Sequence, residues 1–165
     1  MKQTICVALV GIGWAGTMHA KAYNRVYGVD VRRKTVCGLE ESLPEFAGMY
    51  HFEQYTRDFG EILKDPEIDV IDITTPPFLH AEMIVQAMRA GKDVICEKPL
   101  TGYFGLPDDE RSIGAVSRAK MLREVKRTID EIERVIKATG RRFFYAGKDG
   151  GTVLSSCFRV DEWKQ

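Results

Sequence analysis

Thr4-Ile5-Cys6-Val7-Ala8-Leu9-Val10-Gly11-Ile12-Gly13-Trp14-Ala15-Gly16 is the stretch whose reading decides the fold. A short apolar, β-branched run ends in glycines spaced G-x-G-x-x-G, and a helical pattern runs from Ala15 to about Tyr27. Each glycine has a mechanical reason. Gly11 permits a tight turn, Gly13 lets the backbone approach a pyrophosphate, and Gly16 lets the helix pack closely on the strand. Backbone N–H groups at the start of the helix, aided by its positive end, would hold an anion without any basic side chain. Gly11, Ile12, Gly13, Trp14, Ala15 and Gly16 therefore form the first candidate binding segment. The bland alternative is a glycine-rich turn with no ligand; the position directly between a strand and a helix favours a dinucleotide.

Outward from this stretch the same alternation repeats. Further strands are expected at Lys34 to Leu39, Asp69 to Thr74, Lys92 to Cys96 and Arg142 to Ala146, with near-continuous hydrophobicity that marks burial on both faces. Helices are expected at Asp58 to Lys64, Leu79 to Ala90 and Ser117 to Thr139. The last carries Leu122, Val125, Ile129, Ile132 and Ile136 at spacings of three and four, an apolar stripe that should dock on the sheet. Asp58 with Glu61 has capping-box spacing, and Gly140 suits the end of the long helix. Leu100 to Val116 lacks periodicity and reads as a loop of the kind that moves. The fold class is α/β, a doubly wound parallel sheet in three α/β/α layers.

The 165 residues suffice for one domain with a real core. With 24 basic and 24 acidic residues the net charge is zero, which leaves no electrostatic footprint for nucleic acid or anionic lipid. Lys2 and the stretch Ile5 to Gly16 imitate a signal peptide poorly, since glycines interrupt the stretch and no A-x-A site closes it. No run approaches the ~18 apolar residues of a membrane span. Cys6, Cys37, Cys96 and Cys157 form no CxxC pair, and the first three sit in apolar runs; buried, reduced thiols and a cytoplasmic location are expected. No residue pattern asks for a metal.

The end of the second expected strand decides between NAD and NADP, because an acidic side chain there accepts from ribose hydroxyls and repels a 2′-phosphate. Glu40 lies 24 positions after Gly16, near the usual spacing of about 20, so NAD is favoured and NADP stays open. The competing reading makes Glu40 and Glu41 solvated loop residues. Arg32 and Arg33, a conceivable phosphate clamp, precede this strand and should lie on the order of 15 to 20 Å from its far end at ~3.3 Å per residue. Two more strand ends should reach the same cleft, Thr74-Thr75-Pro76-Pro77-Phe78-Leu79-His80 and Glu97-Lys98-Pro99-Leu100. Lys98 could stabilise an alkoxide, with Glu97 tuning its proton affinity, or be an ordinary ion-paired surface lysine. His80 is either a contact near the nicotinamide or a helix N-terminal histidine satisfied by backbone groups.

Together these segments resemble the Gfo/Idh/MocA family of oxidoreductases. The likeness covers residues 4 to about 146 and rests on Gly11 to Gly16, Asp65 to Val70, Thr75-Pro-Pro-Phe-Leu-His80-Ala-Glu, and Ala90-Gly-Lys-Asp-Val-Ile-Cys-Glu97-Lys98-Pro99-Leu100. It implies an NAD(P)-binding Rossmann domain over residues 1–146 and NAD(P)-dependent oxidation or reduction of a secondary alcohol on a sugar, sugar derivative or cyclitol. It assigns Lys98 to the catalytic lysine, and Thr75, Pro76, His80 and Glu97 to the cofactor cleft. Family members continue into a second α/β domain that supplies further catalytic groups and most of the substrate pocket. Residues 147–165 do not align with that continuation and are expected to be an out-of-register tail, from a frameshift or alternative ending. On this reading the chain has impaired turnover, and its competitor is a dinucleotide-binding module without catalysis. A homo-oligomer is left open.

Overall fold

Five successive residues of the first strand, Cys6 to Val10, are buried, and so are all four of the fourth strand, Val70 to Ile73. Only strands covered on both faces lose the in/out alternation this completely. The computed structural model describes residues 3–103, 105 and 116–146. In chain order they form β1 (Gln3–Val10), α1 (Trp14–Ala22) with a 3-10 turn at Tyr23–Arg25, β2 (Val29–Cys37), α2 (Leu43–Met49), β3 (Gln54–Thr56), α3 (Phe59–Lys64), β4 (Val70–Ile73), α4 (Pro77–Arg89), β5 (Asp93–Glu97), α5 (Arg118–Thr139) and β6 (Phe143–Ala146). Much of the loop expected between Leu100 and Val116, and the whole tail 147–165, lie outside the described residues.

The strands pair in parallel in the order β3-β2-β1-β4-β5-β6. This is the doubly wound arrangement expected from the sequence. From β1 the sheet is built outward through β2 and β3 on one side and through β4, β5 and β6 on the other, and this reversal of strand order between β1 and β4 opens a crevice beyond their carboxyl ends. One face buries Ile71, Ile73, Val94 and Cys96 beneath Ile62 of α3, Ile84 and Met88 of α4, and Ile132 and Val135 of α5. The other buries Leu9 and Val36 against Ala20 of α1 and Leu43, Phe46 and Ala47 of α2.

Local chemistry explains where these elements depart from expectation. β2 begins at Val29 rather than Lys34, because Asp30 and Arg32 alternate with Val29 and Val31. Arg32 and Lys34 share one face, where Glu53 and Glu67 meet them at 2.5 to 3.6 Å. α2 was not anticipated. It is seven residues long, yet Leu43, Phe46 and Ala47 at i, i+3 and i+4 all point inward. Three-residue β3 is exposed and has no apolar run. On α5, Leu122 of the expected stripe is 57% exposed; the buried contacts are Ile132 and Val135, and the helix packs chiefly on α4.

The helix ends follow capping chemistry. Asp58 accepts from the Gly60 N–H at 2.7 Å, and Ser117 accepts from the Lys120 N–H. Gly140 closes α5 in the left-handed conformation, with φ of +64°. Ile71 is fully buried in the middle of the sheet, so truncating it leaves a cavity. Ile71→Ala should lower unfolding free energy by about 2 to 5 kcal/mol, read from urea denaturation followed by circular dichroism.

Candidate functional site

The glycine loop is built by contacts that exclude side chains. Gly11 takes φ of +99° and donates its N–H to the Cys37 carbonyl at 2.8 Å, which ties the loop to the end of β2. A Cβ on Gly16 would stand 2.1 Å from the Gly11 carbonyl oxygen. Thr74, at the end of β4, donates its N–H to the Val10 carbonyl at 2.8 Å, and its hydroxyl lies 3.0 Å from that oxygen and 2.9 Å from Gly11 O. Gly13 is different. A Cβ there would meet nothing within 4 Å, so the backbone faces open space at the start of α1. Helix α1 has no side-chain cap and no acidic residue in its first turn. Its leading N–H groups and positive end make a cradle for a diphosphate, and the residues present fit a dinucleotide.

Glu40 lies exposed just beyond β2. One of its carboxyl oxygens accepts the Leu39 N–H at 2.9 Å and sits 2.7 Å from where a Gly38 Cβ would be; that same point is 3.5 Å from Ile12 Cγ1. Glu40 and the glycine loop thus adjoin. Arg32 and Arg33 lie inside β2, not before it, and are engaged elsewhere: Arg32 with Glu53, Arg33 with the Tyr50 carbonyl at 2.7 Å and with Asn24.

At the end of β4, Thr75 and Pro76 lead into α4, with Pro77 as its first residue. His80, expected near the cofactor, is fully buried. Its Nε2 is 2.7 Å from the Thr75 carbonyl and its Nδ1 3.0 Å from the Pro99 carbonyl. With no exposed surface it braces the β4 segment against the β5 segment; it does not face the cleft. Beyond β5, Lys98 is exposed, and the Lys98–Pro99 peptide is cis. Among the described residues Glu97 engages Lys98 through the backbone, accepting its N–H at 2.9 Å, and not through the ammonium.

The other oxygen of Glu97 leads to a cluster that the sequence reading missed. His19 on α1 is 4% exposed; its Nε2 is 3.1 Å from Glu97 Oε1 and its Nδ1 2.8 Å from Asp72 Oδ2. Asp72, 1% exposed, also accepts the Tyr23 hydroxyl at 2.6 Å. Burial alone would lower the imidazole pKa, but hydrogen bonds and charge attraction from Asp72 and then Glu97 outweigh it and raise it to about 9. Burial, reinforced by Asp72, pushes the Tyr23 hydroxyl up as well. The signal was available: a carboxyl inside the apolar run Val70-Ile71-Asp72-Ile73 demands a buried partner.

An anion cradle at a doubly wound switch point, an acidic residue beside it and a lysine past β5 together define a nicotinamide-dinucleotide-binding domain. The chain matches the oxidoreductase family with an NAD-binding Rossmann fold, Gfo/Idh/MocA, over residues 5–109, and it belongs to that family. Levoglucosan dehydrogenase of Pseudarthrobacter phenanthrenivorans is 39% identical over 105 residues, 59% of this chain and 27% of that protein. The scyllo-inositol 2-dehydrogenase (NAD(+)) of Bacillus subtilis is 29% identical over 155 residues, 89% of this chain and 45% of that one. A solved levoglucosan dehydrogenase in complex with NADH and levoglucosan superposes with a TM-score of 0.69 at 28% identity, covering 87% of this chain and 35% of the other. The chain therefore spans less than half the length of these relatives. No helix among the described residues is long and apolar enough to cross a membrane.

Two outcomes follow from this geometry. Gly16→Ala forces its methyl into the Gly11 carbonyl and should cost roughly 1 to 3 kcal/mol, measured by thermal unfolding. His19 has a folded-state pKa of about 9, above its ordinary 6.5, so its stabilising contribution is complete below pH 6.5 and is lost as pH rises through 9. Stability measured by urea titration should fall across that window by up to roughly 3 kcal/mol more in the parent chain than in His19→Gln.

Proposed function

We propose that the chain is the cofactor-binding part of an NAD-dependent oxidoreductase acting on a secondary alcohol of a sugar, sugar derivative or cyclitol. The observation that carries this reading is the convergence of three strand-end segments, at Gly11 to Gly16, Thr75-Pro76 and Glu97-Lys98, on one edge of the sheet around an open backbone cradle. Relatives named for levoglucosan and inositol, both polyhydroxylated rings, support the substrate class. The bound nicotinamide supplies the hydride acceptor. This chain's residues do the placing. The glycine-loop amides hold the diphosphate, Glu40 accepts from the adenosine ribose and repels a 2′-phosphate, and Lys98 Nζ donates to the substrate oxygen and stabilises the negative charge that develops there.

Lys98 is the catalytic residue of this reading, in a chain that spans 27% and 45% of its two dehydrogenase relatives. Cys6, Cys37 and Cys96, all free and buried, support a reducing, cytoplasmic setting.

Titration of the chain with NADH, followed by nicotinamide fluorescence, should show saturable binding. NADPH should bind at least about tenfold more weakly, and Glu40→Ala should narrow that gap. No NADH binding at all would overturn the reading. A polyol panel followed at the reduced-nicotinamide absorbance band then reports whether the chain turns over alone.

A further inference from the structure

The residues that touch a cofactor do not explain why a histidine and an aspartate are buried together beneath the cleft. Asp72 occupies the centre of β4, in a strand whose neighbours Ile71 and Ile73 are wholly buried on the opposite face. It points to the side of the sheet that α1 covers, where His19 Nδ1 lies 3.0 and 2.8 Å from its two oxygens. A buried carboxyl is costly unless its oxygens are satisfied, and here Tyr23 and His19 share Oδ2 while His19 Nδ1 also reaches Oδ1. Nε2 of the same imidazole reaches Glu97 at the end of β5, and Glu97 in turn fixes the Lys98 N–H. Tyr23, Asp72, His19, Glu97 and the Lys98 backbone form one unbroken line of hydrogen bonds. It joins α1 and its trailing turn to the segment that carries the proposed catalytic lysine.

The line has a direction. The acidic Glu40 that would take the adenosine ribose lies on the β2 side of the glycine loop, and β4 and β5 lie on the other. A dinucleotide laid across the crevice therefore places its nicotinamide ribose and ring toward Glu97 and Lys98. His19 itself is buried, and both its ring nitrogens are occupied by carboxylates. Helix α1 thus presents its first-turn amides to the diphosphate and, further along, fixes a carboxyl belonging to the opposite half of the site.

We infer that His19 is a positioning residue: held by Asp72, it orients the Glu97 carboxyl, and through it the Lys98 backbone, for the nicotinamide half of the cofactor. The inference rests on the dinucleotide reading above and goes beyond it by separating the two halves of the ligand. A merely structural histidine would weaken every part of the ligand alike. A positioning histidine weakens only the nicotinamide half.

The test uses the purified chain, with NADH and ADP as probes, the latter carrying the adenosine and diphosphate without the nicotinamide ribose. His19→Leu should weaken NADH about tenfold while ADP stays within about twofold. The Lys98 amide, followed by hydrogen exchange, should exchange faster. His19→Gln keeps a donor for Glu97 and should recover part of both losses; it also serves if the leucine variant folds poorly. Equal weakening of NADH and ADP, or unchanged NADH affinity with unchanged Lys98 protection, would overturn the inference. If the parent chain binds neither probe, the dinucleotide reading fails instead, and Lys98 exchange in the variants still decides whether His19 holds that segment.

Discussion

Two backbones meet where no side chain fits: Gly16 of the first helix lies so close to the carbonyl of Gly11 that a single methyl would stand 2.1 Å from its oxygen. That approach sets how tightly α1 lies on β1, and everything at the cleft follows from it. It aims the helix start at the space above Gly13. It also brings His19, one turn further along the same helix, down to the level of Asp72 and Glu97. A looser helix would lose the anion cradle and the buried polar line together.

The fold was legible because the central strands state their environment plainly. Cys6 to Val10 and Val70 to Ile73 are almost wholly apolar, and only a sheet covered on both faces accommodates such runs. Gly140 closes α5 as its position suggested, and Asp58 caps α3 through the Gly60 N–H, whereas Glu61 accepts from the Thr56 hydroxyl and does not complete a capping box. What was not legible depended on partners distant in sequence. The first half of β2, Val29 to Arg33, fell outside the strand expected from Lys34, and the carboxylates that neutralise its charges, Glu53 and Glu67, come from other segments. Leu122 fitted the helical stripe, but it is 57% exposed while Met121, Val125 and Ile129 around it are half-buried, a difference that periodicity alone does not report.

The site shows the same division. Glycine spacing located the loop, and strand ends located Thr75, Glu97 and Lys98, since both are short-range features. The roles of the titratable groups are long-range. His80 stands at a helix start, yet it is taken by two carbonyls from different segments, Thr75 and Pro99. His19 belongs to an apparently ordinary helix and gains its importance from residues 53 and 78 positions away. A carboxyl within the apolar run Val70 to Ile73 is the one local hint of this cluster, and it says nothing of which partners satisfy it.

Cys37 and Cys96 flank this region from below. The first lends its carbonyl to the glycine loop, and the second immediately precedes Glu97. Burial, reinforced by nearby carboxyls, pushes the Cys37 thiol up to about 11 and the Cys96 thiol higher still. Sulfur reacts with oxidants and electrophiles as the thiolate, so these two behave as small hydrophobic fillers rather than nucleophiles. The thiols that adjoin the glycine loop and Glu97 are thereby kept chemically silent. Sulfenate formation and adduct formation at these positions would require the sheet to open first.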